Sequence, residues 1–146
     1  MTLWLVDASV LLAREDLDDA NHNPAVRLLA GPDPLATLDL AFYEVTNVAV
    51  RSWHDEVVAG RLCDRITAVA DDGGLIRADS QLLANATLIA AEHGISAYDA
   101  AYVAAARSAG ARLVSCDGRD LVSRGLACLP SAAISGTGSV GDASPG

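Results

Sequence analysis

The stretch Leu3-Trp4-Leu5-Val6-Asp7-Ala8-Ser9 decides the fold class. Four apolar residues in a row, without the alternation of a half-solvated strand, describe a strand buried on both faces. The run stops at a carboxylate, and Ser9 then opens a helix. The same phrase returns far along the chain as Arg112-Leu113-Val114-Ser115-Cys116-Asp117. Between the two, helical patterns alternate with short apolar runs. Asn23-Pro24 opens a helix that Gly31 closes, in the order of N-cap and first-turn proline. A strand follows at Leu35 to Thr37, then helices over Asp39 to Trp53 and Asp55 to about Asp71, with Gly73-Gly74 as the stop. Leu75-Ile76 reads as a brief strand. Two helices, Ser80 to His93 and Ser96 to Ala109, end at Gly94 and Gly110, and Leu126 to Leu129 reads as a last strand. Strands separated by helices predict an α/β fold with a parallel sheet covered on both faces. Residues 1–130 are expected to form one domain, and residues 131–146, rich in Gly and Ser, a flexible tail.

Composition narrows the chemistry. The chain has 146 residues, 51% hydrophobic but only 4% aromatic, so its core must be built from Ala, Leu, Val and Ile. All ten basic residues are arginine. The missing lysine excludes P-loop nucleotidases and Schiff-base enzymes. A net charge of −9 excludes a generic basic nucleic-acid binder, though not an enzyme that handles phosphates through cations. Cys63, Cys116 and Cys128 are odd in number and lack C-x-x-C spacing, which predicts reduced thiols rather than disulfides or zinc ligands. With no signal-peptide pattern and no apolar run long enough to span a membrane, the expected setting is cytoplasmic, without a membrane partner.

The informative feature is where the carboxylates fall. Asp7 and Asp117 follow the two most apolar strands, and ligands of open parallel sheets bind beyond such strand ends. Glu44 and Asp99 stand near helix starts that can reach the same rim, and Asp120 lies three residues beyond Asp117. Two carboxylates about 4 Å apart repel by about 4 kcal/mol at an effective dielectric of 20, so such a cluster calls for a cation or for protonation. Oxygen ligands without Cys or His suit Mg2+, with Mn2+ as a substitute, and not zinc. Such ions suit phosphodiester hydrolysis.

Four motifs in order carry a family resemblance. They are V-D-A-S at 6–9, E-V-T-N-V at 44–48, Y-D-A-A-Y-V-A-A-A at 98–106 and L-V-S-C-D-G-R-D at 113–120. Together they resemble the PIN domain, and within it the VapC-type toxins, the ribonuclease halves of VapBC toxin–antitoxin pairs. The resemblance spans Met1 to Leu129. It implies a three-layer α/β/α fold with strand order 3-2-1-4-5. It also implies a Mg2+-dependent endoribonuclease leaving 5′-phosphate and 3′-hydroxyl ends, acting on structured RNA such as tRNA or rRNA. Asp7, Glu44, Asp99 and Asp117 match the family's four acidic positions, with Asp7 and Asp99 the foremost metal ligands. Asp120 matches an additional acid found in some members only. Ser9 and Ser115 match hydroxyl positions that orient a ligand carboxylate or a metal-bound water. A small VapB-like antitoxin is the implied partner, and a homodimer is compatible with the resemblance.

Each of these residues also has a plainer use. Asp7 caps a helix as well as it binds metal, Asp117-Gly118 is a common turn, and Ser96 to Asp99 fits an S-x-x-D capping box. Asn47, one turn after Glu44, either orients that carboxylate or makes an ordinary buried hydrogen bond. Tyr98 and Tyr102 read as packing residues, and Glu15-Asp16-Leu17-Asp18-Asp19 as a solvated acidic loop. Two other functional classes remain at this point. One is a non-catalytic PIN-like module that binds protein. The other is a phosphatase-like hydrolase, disfavoured because Ser9 stands where its second Asp belongs.

Overall fold

The computed structural model describes residues 1–135. Among them the sheet has four strands, β1 (Trp4–Val6), β2 (Leu35–Leu38), β3 (Leu75–Ile76) and β4 (Arg112–Val114), in the order β3-β2-β1-β4. All pairings are parallel, with Leu5 opposite Ala36 on one side and Leu113 on the other. β1 is central, and its three residues are buried, as its unbroken apolar run requires. The buried Thr37 hydroxyl donates to the Val6 carbonyl at 2.8 Å, so even the polar residue of β2 ties the sheet together.

Six α-helices link the strands: α1 (Ala8–Glu15), α2 (His22–Leu29), α3 (Leu40–Arg51), α4 (Glu56–Asp71), α5 (Ser80–His93) and α6 (Ala97–Ala109). α1 to α4 pack against one another, while α5 and α6 form a separate pair. Right-handed crossovers place the two groups on opposite faces, because the chain steps outward from β1 to β3 and then returns to β4. Caps explain several boundaries. The side chains of Asp55, Asp79 and Ser96 accept the N–H of the residue three positions on, and Gly94 and Gly110 end α5 and α6 with left-handed backbone. α6 buries Ala100, Ala101, Ala104, Ala105 and Ala106, and these small side chains let it lie close against the sheet. Among the described residues no helix is long and apolar enough to cross a membrane.

Three expectations change. The fifth strand is reduced to a parallel bridge from Val114 to Cys128, with Ser115 N–H and Cys128 N–H bonded across at 3.0 Å. It holds the fifth place in the expected order without extending, because Pro130, lacking an N–H, opens a helical turn instead. That turn, over 130–135, carries the fully buried Ala133, so packing continues past the expected boundary at residue 130. The remainder of the expected tail, 136–146, lies outside the described residues. Finally, Glu15 is not solvated. Its side chain is 5% exposed and is held by Arg14 and by Arg61 Nε at 2.8 Å. The acids after it shape the turn into α2, Asp16 accepting the Asp18 N–H and Asp19 that of Asn21.

Candidate metal centre

The centre is assembled at the C-terminal ends of β1 and β4, where the two strand-terminal aspartates emerge. Asp7 is 5% exposed and caps α1, its Oδ1 accepting the Ser9 N–H at 3.0 Å and the Ser9 hydroxyl. The Ser9 oxygen in turn accepts the Cys116 N–H at 2.8 Å, tying the first strand end to the last. Ser115, fully buried, stands 3.4 Å from the Ser9 hydroxyl and accepts the Asp117 N–H at 3.0 Å. Asp117 then caps a π-helical turn over Gly118–Val122, accepting the Asp120 N–H at 2.9 Å. The Ser9 hydroxyl therefore orients the Asp7 carboxylate, while the Ser115 hydroxyl holds the Asp117 backbone.

Three carboxylates converge. Asp99, Asp117 and Asp120 each offer an oxygen within 4.8 Å of the other two. Ligands of a hexacoordinate Mg2+ stand about 3 Å apart when adjacent and about 4 Å when opposite, so the trio must draw together to share such an ion directly. Asp120, doubtful from the sequence, belongs to this group. The plainer uses of these residues coexist with the cluster: Ser96 accepts the Asp99 N–H at 3.0 Å while the Asp99 carboxylate faces the two other acids.

Glu44 and Asp7 stand behind the trio. Glu44 Oε1 accepts the Tyr102 hydroxyl at 2.7 Å. Tyr102 is 1% exposed and lies on α6 one turn after Asp99, the i, i+3 spacing that puts both on one helix face. Its role as a hydrogen-bond donor was missed in the sequence, although that spacing is the signal for it. Asn47 is not brought to the centre. Relative to the buried stripe of Ala41, Val45 and Ala49, Glu44 stands at the border. Asn47, about 60° further round at 100° per residue, is exposed beside Val50 and Arg51.

Electrostatics link these groups into one site. Burial raises the Asp7 carboxyl to about 6, against hydrogen bonds from Ser115 and Ser9 that lower it, with Glu44 adding repulsion. Burial also raises Glu44, which Tyr102 holds down and Asp99 pushes up. Asp99 is raised by burial and then by Asp117 and Asp120. The charge repulsion thus runs from Asp7 through Glu44 to the trio. Burial pushes the neighbouring Cys116 thiol up to about 12, which removes it as a metal ligand or nucleophile at neutral pH. The donor set is all oxygen and strongly anionic, and it fits Mg2+ or Mn2+.

The chain matches the PIN domain family over residues 4–124. It is 32% identical over 117 residues to Ribonuclease VapC3 of Pyrobaculum aerophilum, covering 77% of this chain and 88% of that protein. Among solved structures it superposes on the Mycobacterium tuberculosis toxin VapC20, described as cleaving the sarcin-ricin loop. The TM-score there is 0.63, at 22% identity, over 80% of this chain and 91% of that one. A toxin–antitoxin complex from Klebsiella pneumoniae gives a TM-score of 0.64 at 17% identity, over 86% and 96% of the two chains.

Proposed function

The chain belongs to the PIN domain family, and from that premise we propose that it is a metal-dependent endoribonuclease, the toxin of a type II toxin–antitoxin pair. The observation that carries this reading is the convergence of Asp99, Asp117 and Asp120, backed by Glu44 and Asp7, at one end of the sheet. A binding module gains nothing from carboxylates that raise one another's proton affinity. A divalent cation held there, Mg2+ or Mn2+, would supply charge for the phosphoryl oxygens and acidify water. Asp99, Asp117 and Asp120 would hold it, with Asp7 completing the anionic wall. Glu44, half-buried, with one oxygen on Tyr102 and a raised pKa, is the acceptor for the proton of the attacking water. Ser9 and Ser115 keep the two strand ends in register so that Asp7 and Asp117 face one crevice.

The substrate is structured RNA of the tRNA or rRNA class, recognised by shape and unpaired loops, because a chain with net charge −9 has little nonspecific attraction for phosphates. The partner is a small antitoxin whose basic segment lays Arg or Lys against the acidic centre, competing with metal. Three free thiols fit a reducing cytoplasm. The test is cleavage of tRNA and rRNA in Mg2+ or Mn2+ against EDTA. Metal-dependent internal cleavage that fails in Asp99→Asn is expected; intact RNA with both ions would refute the reading.

A further inference from the structure

The outer edge of β4 is only partly covered. Along that strand the Arg112 N–H bonds to the Leu3 carbonyl and Val114 accepts the Asp7 N–H, so these alternate residues face β1 and the backbone of Leu113 faces outward. The Leu113 carbonyl accepts the Cys128 N–H at 3.0 Å, but its N–H meets no acceptor among the described residues. Gly125, at φ 73°, turns the returning chain, which joins β4 only at the Val114–Cys128 bridge. Between that segment, the end of α6 and β4 lies a hollow of about 230 Å³. Arg107 and Arg112 both line it, and among the described residues no carboxylate does. In a chain with 19 acidic residues against ten basic ones, this is a local reversal of charge. The carboxylate pairs of the described residues engage Arg14 and Arg61, not these two arginines. The Arg112 guanidinium lies 5.6 Å from the centre of the Trp4 ring, a stacking that fixes it in place. Burial raises the Cys128 thiol and Arg112 lowers it, so the guanidinium is felt at a second wall of the hollow. Arg107 has a plainer use as the cation in the last turn of α6; Arg112, opening a strand, has no helix end to serve.

We propose that this hollow binds a phosphate dianion, free or as a monoester, between the two guanidiniums and the Leu113 N–H. Two positive charges match a phosphate that carries close to two negative ones at neutral pH, whereas a carboxylate balances only half of them. Guanidinium forks also grip phosphate oxygens in pairs. A bound oxygen gives the Leu113 N–H the acceptor that a longer fifth strand would have supplied. The site is separate from the metal centre. Arg112 begins β4 and Asp117 lies beyond its other end, about 16 Å away at the rise of an extended chain, so a group held here is not the one being cleaved. Two sources share this chemistry, inorganic phosphate and the terminal phosphate of an RNA, and the second rests on the endoribonuclease reading above.

The test is amide NMR of the metal-free chain at constant ionic strength, read at the Leu113 N–H and the arginine side-chain N–H signals. Inorganic phosphate is expected to move the Leu113 signal and to saturate in the millimolar range, while acetate leaves it in place. Arg112→Gln, and separately Arg107→Gln, should raise the Kd about tenfold, as loss of one charge-assisted contact does, without moving distant amides. A short RNA bearing a 5′-phosphate is then compared with the same RNA ending in a 5′-hydroxyl. A shift with the phosphorylated RNA alone, at lower concentration than with inorganic phosphate, assigns the site to RNA ends. A shift with inorganic phosphate and with neither RNA assigns it to the free anion. A Leu113 signal that no phosphate probe moves, an equal response to acetate or to the 5′-hydroxyl RNA, or variants that respond as the wild type does would overturn the site. Neither arm reads cleavage, so failure of the nuclease reading shows separately, as intact RNA in the metal-dependent assay.

Discussion

Asp7 carries the centre's clearest electrostatic cost. Its carboxyl is raised from 3.8 to about 6, chiefly by burial. Below pH about 4 the group is protonated in both folded and unfolded chains and costs nothing. From about pH 4 the unfolded chain ionises this acid in water while the folded chain still holds it protonated, so about 3 kcal/mol of stability is lost by the time the folded group ionises near 6. Glu44 and Asp99 are shifted in the same direction. The melting temperature in EDTA should therefore fall between about pH 4 and 6.5, and Asp7→Asn should flatten that fall; an unchanged slope in the variant would contradict the assignment. Asp99→Asn should leave the metal-free chain no less stable, shrink the melting shift given by Mg2+, and cut RNA cleavage by orders of magnitude. Asp120→Asn should share that signature because its oxygen joins those of Asp99 and Asp117. Tyr102→Phe removes the donor that holds Glu44 down, so Glu44 protonates at higher pH and the acid limb of the activity profile moves upward. A profile that stays in place would detach Glu44 from the proton transfer.

At the scale of elements, two glycines should behave in opposite ways. A Cβ on Gly74 would fall onto the Leu35 carbonyl oxygen and against Val69, at the entry to β3. Gly74→Ala should cost about 1–3 kcal/mol in chemical unfolding, as overpacking does. Gly60, inside α4, has nothing within 4 Å of its would-be Cβ, and Gly60→Ala should stabilise by about 0.5–1 kcal/mol. The same contrast explains what the chain's letters disclosed. The buried strands β1 and β4, the Ser96 cap and the stops Gly94 and Gly110 follow from local chemistry, and all were readable. Tertiary partners were not. Periodicity places Tyr102 on the face of Asp99, but only packing sets it against Glu44, 58 positions away. Glu15 looked like part of a solvated run because Arg61, its partner, comes from α4. Asn47 looked like a companion of Glu44 because i, i+3 spacing alone does not say on which side of a buried stripe a residue falls. The strand expected over Leu126 to Leu129 ended at one bridge because Pro130 turns the backbone into a helix there.

For the molecule as a whole, a cation that binds only the folded chain should act as a fold stabiliser. At 100 times its dissociation constant the gain is about 2.7 kcal/mol, which for a chain of this size is a rise in melting temperature of about 5–10 °C. Calorimetry in millimolar Mg2+ or Mn2+ against EDTA measures it, and the rise should be larger at pH 7.5 than at pH 5, where protons already relieve the repulsion. No rise with either ion would remove the metal centre. The tie from the Ser9 hydroxyl to the Cys116 N–H, spanning 107 positions, has one more consequence. Ribosomes add about 5–20 residues per second, so β1 leaves the tunnel several seconds before the strand that must pair with its other edge exists. During that interval Asp7 and Glu44 have been made, yet Asp117 and Asp120 have not, and no set of carboxylates can close around an ion. A nascent chain, or one terminated before Asp117, consequently cannot assemble the three converging carboxylates, and the centre forms only once the segment carrying Asp117 and Asp120 has left the ribosome.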